Sequence, residues 1–178
     1  MNNIKPLLFL IPVIAFILTG LLYFFLLKKA TDKKAFNRFV FTTAVLAFLL
    51  NFVWELIQIP LYRNSSYDTD HILFCALASM ADTIMVLLIY LGLAAIFKDL
   101  FWVKHLRLIR IAIVVLIGGA GAVLSEMRHL SLGSWTYDDS MPILPVVNVG
   151  IAPVLQFMIL PVLIYLLSLY RLKIINKK

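Results

Sequence analysis

Charge is scarce in this chain. Of 178 residues only 14% are charged, while 63% are hydrophobic. A soluble domain carries about 25% charged residues. The deficit coincides with several apolar runs of roughly 20 residues, the length that spans a bilayer, and this excludes an ordinary soluble domain. Cysteine is nearly absent: Cys75 is alone, which excludes an intramolecular disulfide framework and a cysteine-rich metal site. Histidine is rare too, with His71 and His129 at the edges of apolar runs rather than in a convergent pair, so no metal and no cofactor is called for. The net charge of +7 sits beside the apolar runs. That placement fits anionic headgroups and membrane topology rather than nucleic acid.

What is present reads as a single all-α, polytopic membrane bundle over residues 1–178. Five transmembrane helices are expected at about 6–27, 39–62, 71–97, 111–127 and 147–170. The first is too long in its apolar part for a signal peptide and lacks a small-residue cleavage site, so it reads as a retained anchor. Lysine and arginine set the orientation. With alternating sides, thirteen fall on one side and three (Lys5, Arg63, Arg128) on the other. The N-terminus is therefore expected outside and the C-terminus inside. In the fourth span Gly118, Gly119, Ala120 and Gly121 form a small-residue patch expected to face another helix.

The chemistry lies in the few polar groups inside these runs. Ionisable residues at that depth are costly and are functional candidates by default. Asn51, Glu55 and Gln58 follow at i, i+4 and i+7, one face of a helix, with Trp54 beside them. His71, Cys75, Ser79 and Asp82 line one face of the next span. Asp82 lies ~16 Å along the helix from His71, near the membrane middle. Glu126 closes the fourth span, and Gln156 lies in the fifth with Asn148, Pro153 and Pro161. The long segment from Arg128 to Val146 carries Trp135, Tyr137, Met141, Pro142 and Pro145 and is expected to form a lid. The three acids fall between the centre and the outer surface, and Asn148 and Gln156 fall in the outer half.

Glu55, Asp82 and Glu126 are thus the candidate catalytic acids. Asn51, Trp54, Gln58, Trp135, Tyr137 and Gln156 are the candidate substrate contacts, converging with them in one acid-lined outer cavity. Each also has a structural reading: interhelical hydrogen bonding for the Asn51–Glu55–Gln58 face, snorkelling for Glu126, and an interfacial aromatic belt for Trp135 and Tyr137.

The pattern Asn51-x-x-Trp54-Glu55-x-x-Gln58-x-Pro60-Leu61-Tyr62, then Ala81-Asp82, Ser125-Glu126, Trp135-x-Tyr137-x-x-x-Met141-Pro142-x-x-Pro145 and Gly150-x-x-Pro153-x-x-Gln156 resembles an uncharacterised family of small bacterial integral membrane proteins. Members typically show His-Cys and Gly-Asp in the third span, where this chain has Phe74-Cys75 and Ala81-Asp82. The resemblance implies a multi-pass protein of the bacterial cytoplasmic (inner) membrane and brings no activity with it. The Asn-x-x-Trp-Glu element is also similar to one in fungal membrane-bound terpene cyclases. The order Glu, Trp-x-Tyr, Pro is similar to that in small carotenoid cyclases. That similarity implies protonation of an alkene or epoxide by a membrane-buried acid.

Two functions follow as expectations. One is an intramembrane enzyme acting on an isoprenoid or other lipid. Desolvation disfavours the charged form of a carboxyl group, and the neutral form is a competent general acid. The other is a carrier, sensor or assembly factor whose acids bind a proton, a cation or a partner. The expected partners are membrane lipids, with an isoprenoid or lipid substrate in the first case, and no nucleic acid.

Overall fold

The computed structural model of the protein describes residues 10–175. Its architecture is an all-α bundle with one small hairpin at one end. Five helices are long and apolar enough to cross a membrane. They are α1 (Leu10–Lys29), α2 (Lys33–Gln58, continued by a 3₁₀ turn Ile59–Leu61), α3 (Thr69–Phe97), α4 (Leu108–Ser131) and α5 (Ile151–Ile175). Two short strands, β1 (Ile143–Leu144) and β2 (Val149–Gly150), pair antiparallel between α4 and α5.

Local chemistry sets the ends. Asp32 caps α2 by accepting from the Ala35 N–H at 2.9 Å, so the helix begins at Lys33, a turn and a half before the expected Phe39. Pro60 has no N–H to donate and turns its far end into a 3₁₀ turn. Asp68 caps α3 through the His71 N–H at 2.9 Å. Lys98 closes α3 in the left-handed region (φ 53°), and Gly133 (φ 66°) does so for α4, where a positive φ suits glycine. The fifth helix begins at Ile151, not at Val147. Val147 and Asn148 (φ 53°) belong to the hairpin turn, and Val149–Gly150 to β2. Expected as an intramembrane polar group, Asn148 is instead an exposed turn residue.

Across the bundle the neighbours run α1–α3–α2–α5–α4. The α4–α5 contact explains two of the small residues: a Cβ on Gly118 would lie 2.0 Å from the Phe157 carbonyl oxygen, and one on Gly119 would lie 3.1 Å from Met158 Cγ. Gly121 meets nothing and Ala120 is exposed. The expectation that all four residues face a helix fails because successive helical positions turn by about 100°.

The two ends of the bundle differ. At the end carrying the basic loops, Phe36, Phe39, Tyr90, Trp102 and Tyr165 are fully buried in one aromatic cluster. Each polar atom of its tyrosines and tryptophan finds a backbone carbonyl: Tyr165 donates to Val86 O (2.7 Å), Trp102 Nε1 to Tyr90 O (3.2 Å) and the Tyr90 hydroxyl to Leu100 O. At the opposite end, the loop 62–70 and the segment 132–150 cover the helix ends.

Candidate functional site

The site is built at that covered end, where α2, α3 and α5 meet. On α2, Asn51 faces inward and is 1% exposed. It is held by its own amide donating to Ala47 O at 2.8 Å. One turn on is Glu55, half-buried. From α3 comes Asp82, also half-buried, on the face that buries Cys75 and Ser79 as its spacing implied. From the second turn of α5 comes Gln156, 1% exposed.

These four side chains meet at a single nitrogen. Gln156 Nε2 lies 2.9 Å from Asn51 Oδ1, 3.1 Å from Asp82 Oδ2 and 3.2 Å from Glu55 Oε1. A primary amide carries two hydrogens, so three acceptors compete for two donors. Gln58, one turn beyond Glu55, also interacts with the Glu55 carboxyl. It is 4% exposed, and its Oε1 is a buried acceptor with no hydrogen-bond partner among the described residues.

The third acid is held differently. Glu126, 6% exposed at the end of α4, accepts from Trp135 Nε1 at 3.2 Å and from the Tyr137 hydroxyl, both on its Oε2. Those donors come from the covering segment, which is fixed to the end of α2 by backbone. Tyr62 and Tyr137 form an antiparallel bridge, with Arg63 N donating to Thr136 O (3.0 Å) and Asp138 N to Leu61 O (2.9 Å). Arg63 pairs with Asp139 at the surface. Behind the bridge Met141 is buried against Gly150, where a Cβ would lie 2.8 Å from its sulfur.

Tyr62 links the two groups of acids. Its ring packs edge-on to Trp135 (centroids 6.2 Å apart) and tilted to Tyr137 (5.6 Å). Burial first, then the charges of Glu126, Glu55, Tyr137 and Asp82, push its phenol well above the usual tyrosine range. One phenol therefore feels all three acids. The Tyr137 phenol is raised as well, by burial and then by the hydrogen bond it gives Glu126.

Of the nine expected site residues, Asn51, Glu55, Asp82 and Gln156 come together directly, with Gln58 beside them. Glu126, Trp135 and Tyr137 form a second group under the cover. Trp54 goes elsewhere and packs against the apolar core. Sequence reasoning left out Tyr62, although it stands in the motif after Pro60. It also left out His129 as a contact: its ring stacks on Trp135 at 4.3 Å. Among the described residues, no three of His, Cys, Asp and Glu are placed to hold a metal ion.

No family model, curated protein or solved structure matches the chain.

The two groups of acids differ in their hydrogen-bond surroundings. Glu126 receives two donors on one oxygen, which fix the carboxyl group in place beneath the cover. The Gln156 group has more acceptors than donors, and a proton on Glu55 or Asp82 would supply the missing hydrogen.

Proposed function

We propose that this is a multi-pass protein of the bacterial inner membrane with its covered end outward, acting as an intramembrane enzyme that protonates an isoprenoid or other unsaturated lipid. The charge bias of thirteen to three supports the orientation. The observation that carries the chemistry is the Gln156 amide shared by Asn51, Glu55 and Asp82, which calls for a proton between two carboxyl groups.

In this reading the protonated member of the Glu55–Asp82 pair gives its hydrogen to one alkene carbon. The π electrons form the new C–H bond and leave a cation on the other carbon. Loss of a neighbouring proton back to the carboxylate, directly or after attack by a second double bond has moved the cation along the chain, completes the reaction without a redox partner. The Glu126 carboxylate and the faces of Tyr62, Trp135 and Tyr137 would stabilise the transient cation.

The test uses the protein in nanodiscs made up in D₂O with farnesol or a bacterial lipid extract. Mass spectrometry should find deuterium on carbon in the lipid product, lost in Glu55→Gln and Asp82→Asn. Lipids recovered without carbon-bound deuterium would refute the enzyme reading.

The alternative is a non-enzymatic sensor, carrier or assembly factor that binds a proton or cation. One observation favours it: Gln156, whose amide holds Glu55 and Asp82, is almost fully enclosed together with Asn51, as suits a pair of acids that only takes up and releases a proton. Proton uptake by the detergent-solubilised protein, absent in Asp82→Asn and accompanied by no lipid conversion, would establish it.

A further inference from the structure

The unpartnered oxygen of Gln58 bears on what the site accepts. It belongs to the last residue of α2, on the face that carries Asn51 and Glu55, and it is buried where a hydrogen-bond acceptor is costly to leave alone. The nearby donors are already committed. Gln156 Nε2 serves the acids, Asn51 Nδ2 serves Ala47 O, and Trp135 and Tyr137 serve Glu126. A molecule here would meet acceptors in surplus: the carboxyl oxygens of Glu55 and Asp82 and the bare oxygen of Gln58. Two of its neighbours are the carboxyl groups of Glu55 and Asp82, both held at Gln156 Nε2, and Glu126 lies under the adjoining cover. A phosphate or carboxylate headgroup brings more acceptors and more negative charge, which sets it against these oxygens. A hydroxyl brings a donor without charge. The rings of Tyr62, Trp135 and Tyr137 pack together under the adjoining cover, and such rings suit an apolar body.

Resting on the proposed enzyme reading, we infer that the substrate is an uncharged lipid alcohol, that Gln58 Oε1 accepts its hydroxyl hydrogen, and that the site rejects phosphorylated lipids. The hydroxyl is thereby an anchor, leaving the alkene portion to be placed against the Glu55–Asp82 pair.

Four probes with one hydrocarbon body separate the possibilities: farnesol, farnesyl methyl ether, farnesyl diphosphate and farnesylamine. Their dissociation constants are measured by calorimetry on the full-length protein in phosphatidylcholine nanodiscs. Farnesol should bind about tenfold more tightly than the ether, the worth of one hydrogen bond to a buried acceptor. The diphosphate should bind more weakly than the ether. In Gln58→Met, which keeps the volume and removes the oxygen, the ether should bind as before and the preference for farnesol should vanish. Retained ether binding shows that the variant is folded.

Equal binding of farnesol and ether, tightest binding of the diphosphate, or a preference that survives Gln58→Met overturns the inference. Tightest binding of the amine also overturns it and identifies a cation site instead. Failure of this inference is distinguishable from failure of the enzyme reading. Farnesol selectivity without deuterium incorporation leaves the alcohol site standing and removes the enzyme. Deuterium incorporation without selectivity does the reverse.

Discussion

The two ends of this bundle bury polar atoms in opposite ways. At the basic end the buried polar groups are donors: Tyr90, Trp102, Tyr165 and the Arg110 guanidinium each give a hydrogen to a backbone carbonyl. At the covered end they are mostly acceptors, gathered around one amide and two lid donors. Helices make the first arrangement easy and the second hard. A helical carbonyl has a second lone pair to offer, whereas every helical N–H past the first turn is already used. Surplus donors inside a helical bundle can thus be absorbed by the backbone. Surplus acceptors must wait for a side chain, a proton or a ligand. The basic end has its buried donors satisfied, while the covered end leaves the Gln58 oxygen without a partner among the described residues.

Substitutions can break that contrast, and the largest effect should come from the basic end. Trp102→Ala empties the centre of the aromatic cluster and should cost about 3–5 kcal/mol, seen as a large fall in the unfolding midpoint in mild detergent. A small change there would mean that the cluster is not what holds the helices together. Next comes the α4–α5 contact, where Gly118→Ala should destabilise by about 1–3 kcal/mol because its Cβ meets a backbone carbonyl. Gly119→Ala should do less, since it meets the flexible end of Met158. Equal effects at the two glycines would contradict the close approach. At the covered end Tyr137→Phe removes one of two donors to Glu126 and should cost about 1–2 kcal/mol. Faster hydrogen exchange over residues 132–150 should accompany it, and unchanged exchange would show that the hydroxyl does not hold the cover.

Glu55→Gln should move stability by less than about 1 kcal/mol, because it adds donors where acceptors are in surplus. On the proposed enzyme reading, lipid conversion should nonetheless be abolished. A strongly destabilised Glu55→Gln would make this acid structural and erase the difference between the ends.

The smallest effect concerns acid. Hydrogen bonds from Ser66 and His71 hold the Asp68 carboxyl well below the usual aspartate range, and Ser140 holds Asp138 down. Both folded values lie below the unfolded one. The stabilisation is therefore complete above the unfolded value and is lost as pH falls through the folded values. The two turns should survive mild acidification and open only below the ordinary aspartate range, which hydrogen exchange at the Ser140 and His71 amides would follow.

Much of the bundle could be read from hydropathy, because length and apolarity are what define a span. The ends were harder. The segment Val146–Gly150 is as apolar as a helix, yet Asn148 in a left-handed conformation makes it a turn. The Asn51–Glu55 and Cys75–Ser79–Asp82 faces were legible because helical periodicity alone places them. That Gln156 would serve both was not, since it depends on which helix lies beside which. Nor was the link from Glu126 to Trp135 and Tyr137, which depends on how the segment after α4 folds back. Trp54 shows the limit of adjacency: one residue from Glu55 in sequence, it turns into the apolar core.

The bridge between Tyr62 and Tyr137 also sets a phase. In an extended strand, side chains alternate with a period of two. Trp135 and Tyr137 both reach Glu126, while Thr136 between them is exposed. The stitching to Arg63 and Leu61 uses backbone atoms alone, so it would form in any register. Inserting one residue between Gly133 and Trp135 would shift the strand by half a period and turn both aromatic donors away from the carboxylate. Inserting two would restore them. The cover thus behaves like a toothed strip whose pitch is two residues, indifferent to most changes of side chain and intolerant of a single-residue change in length.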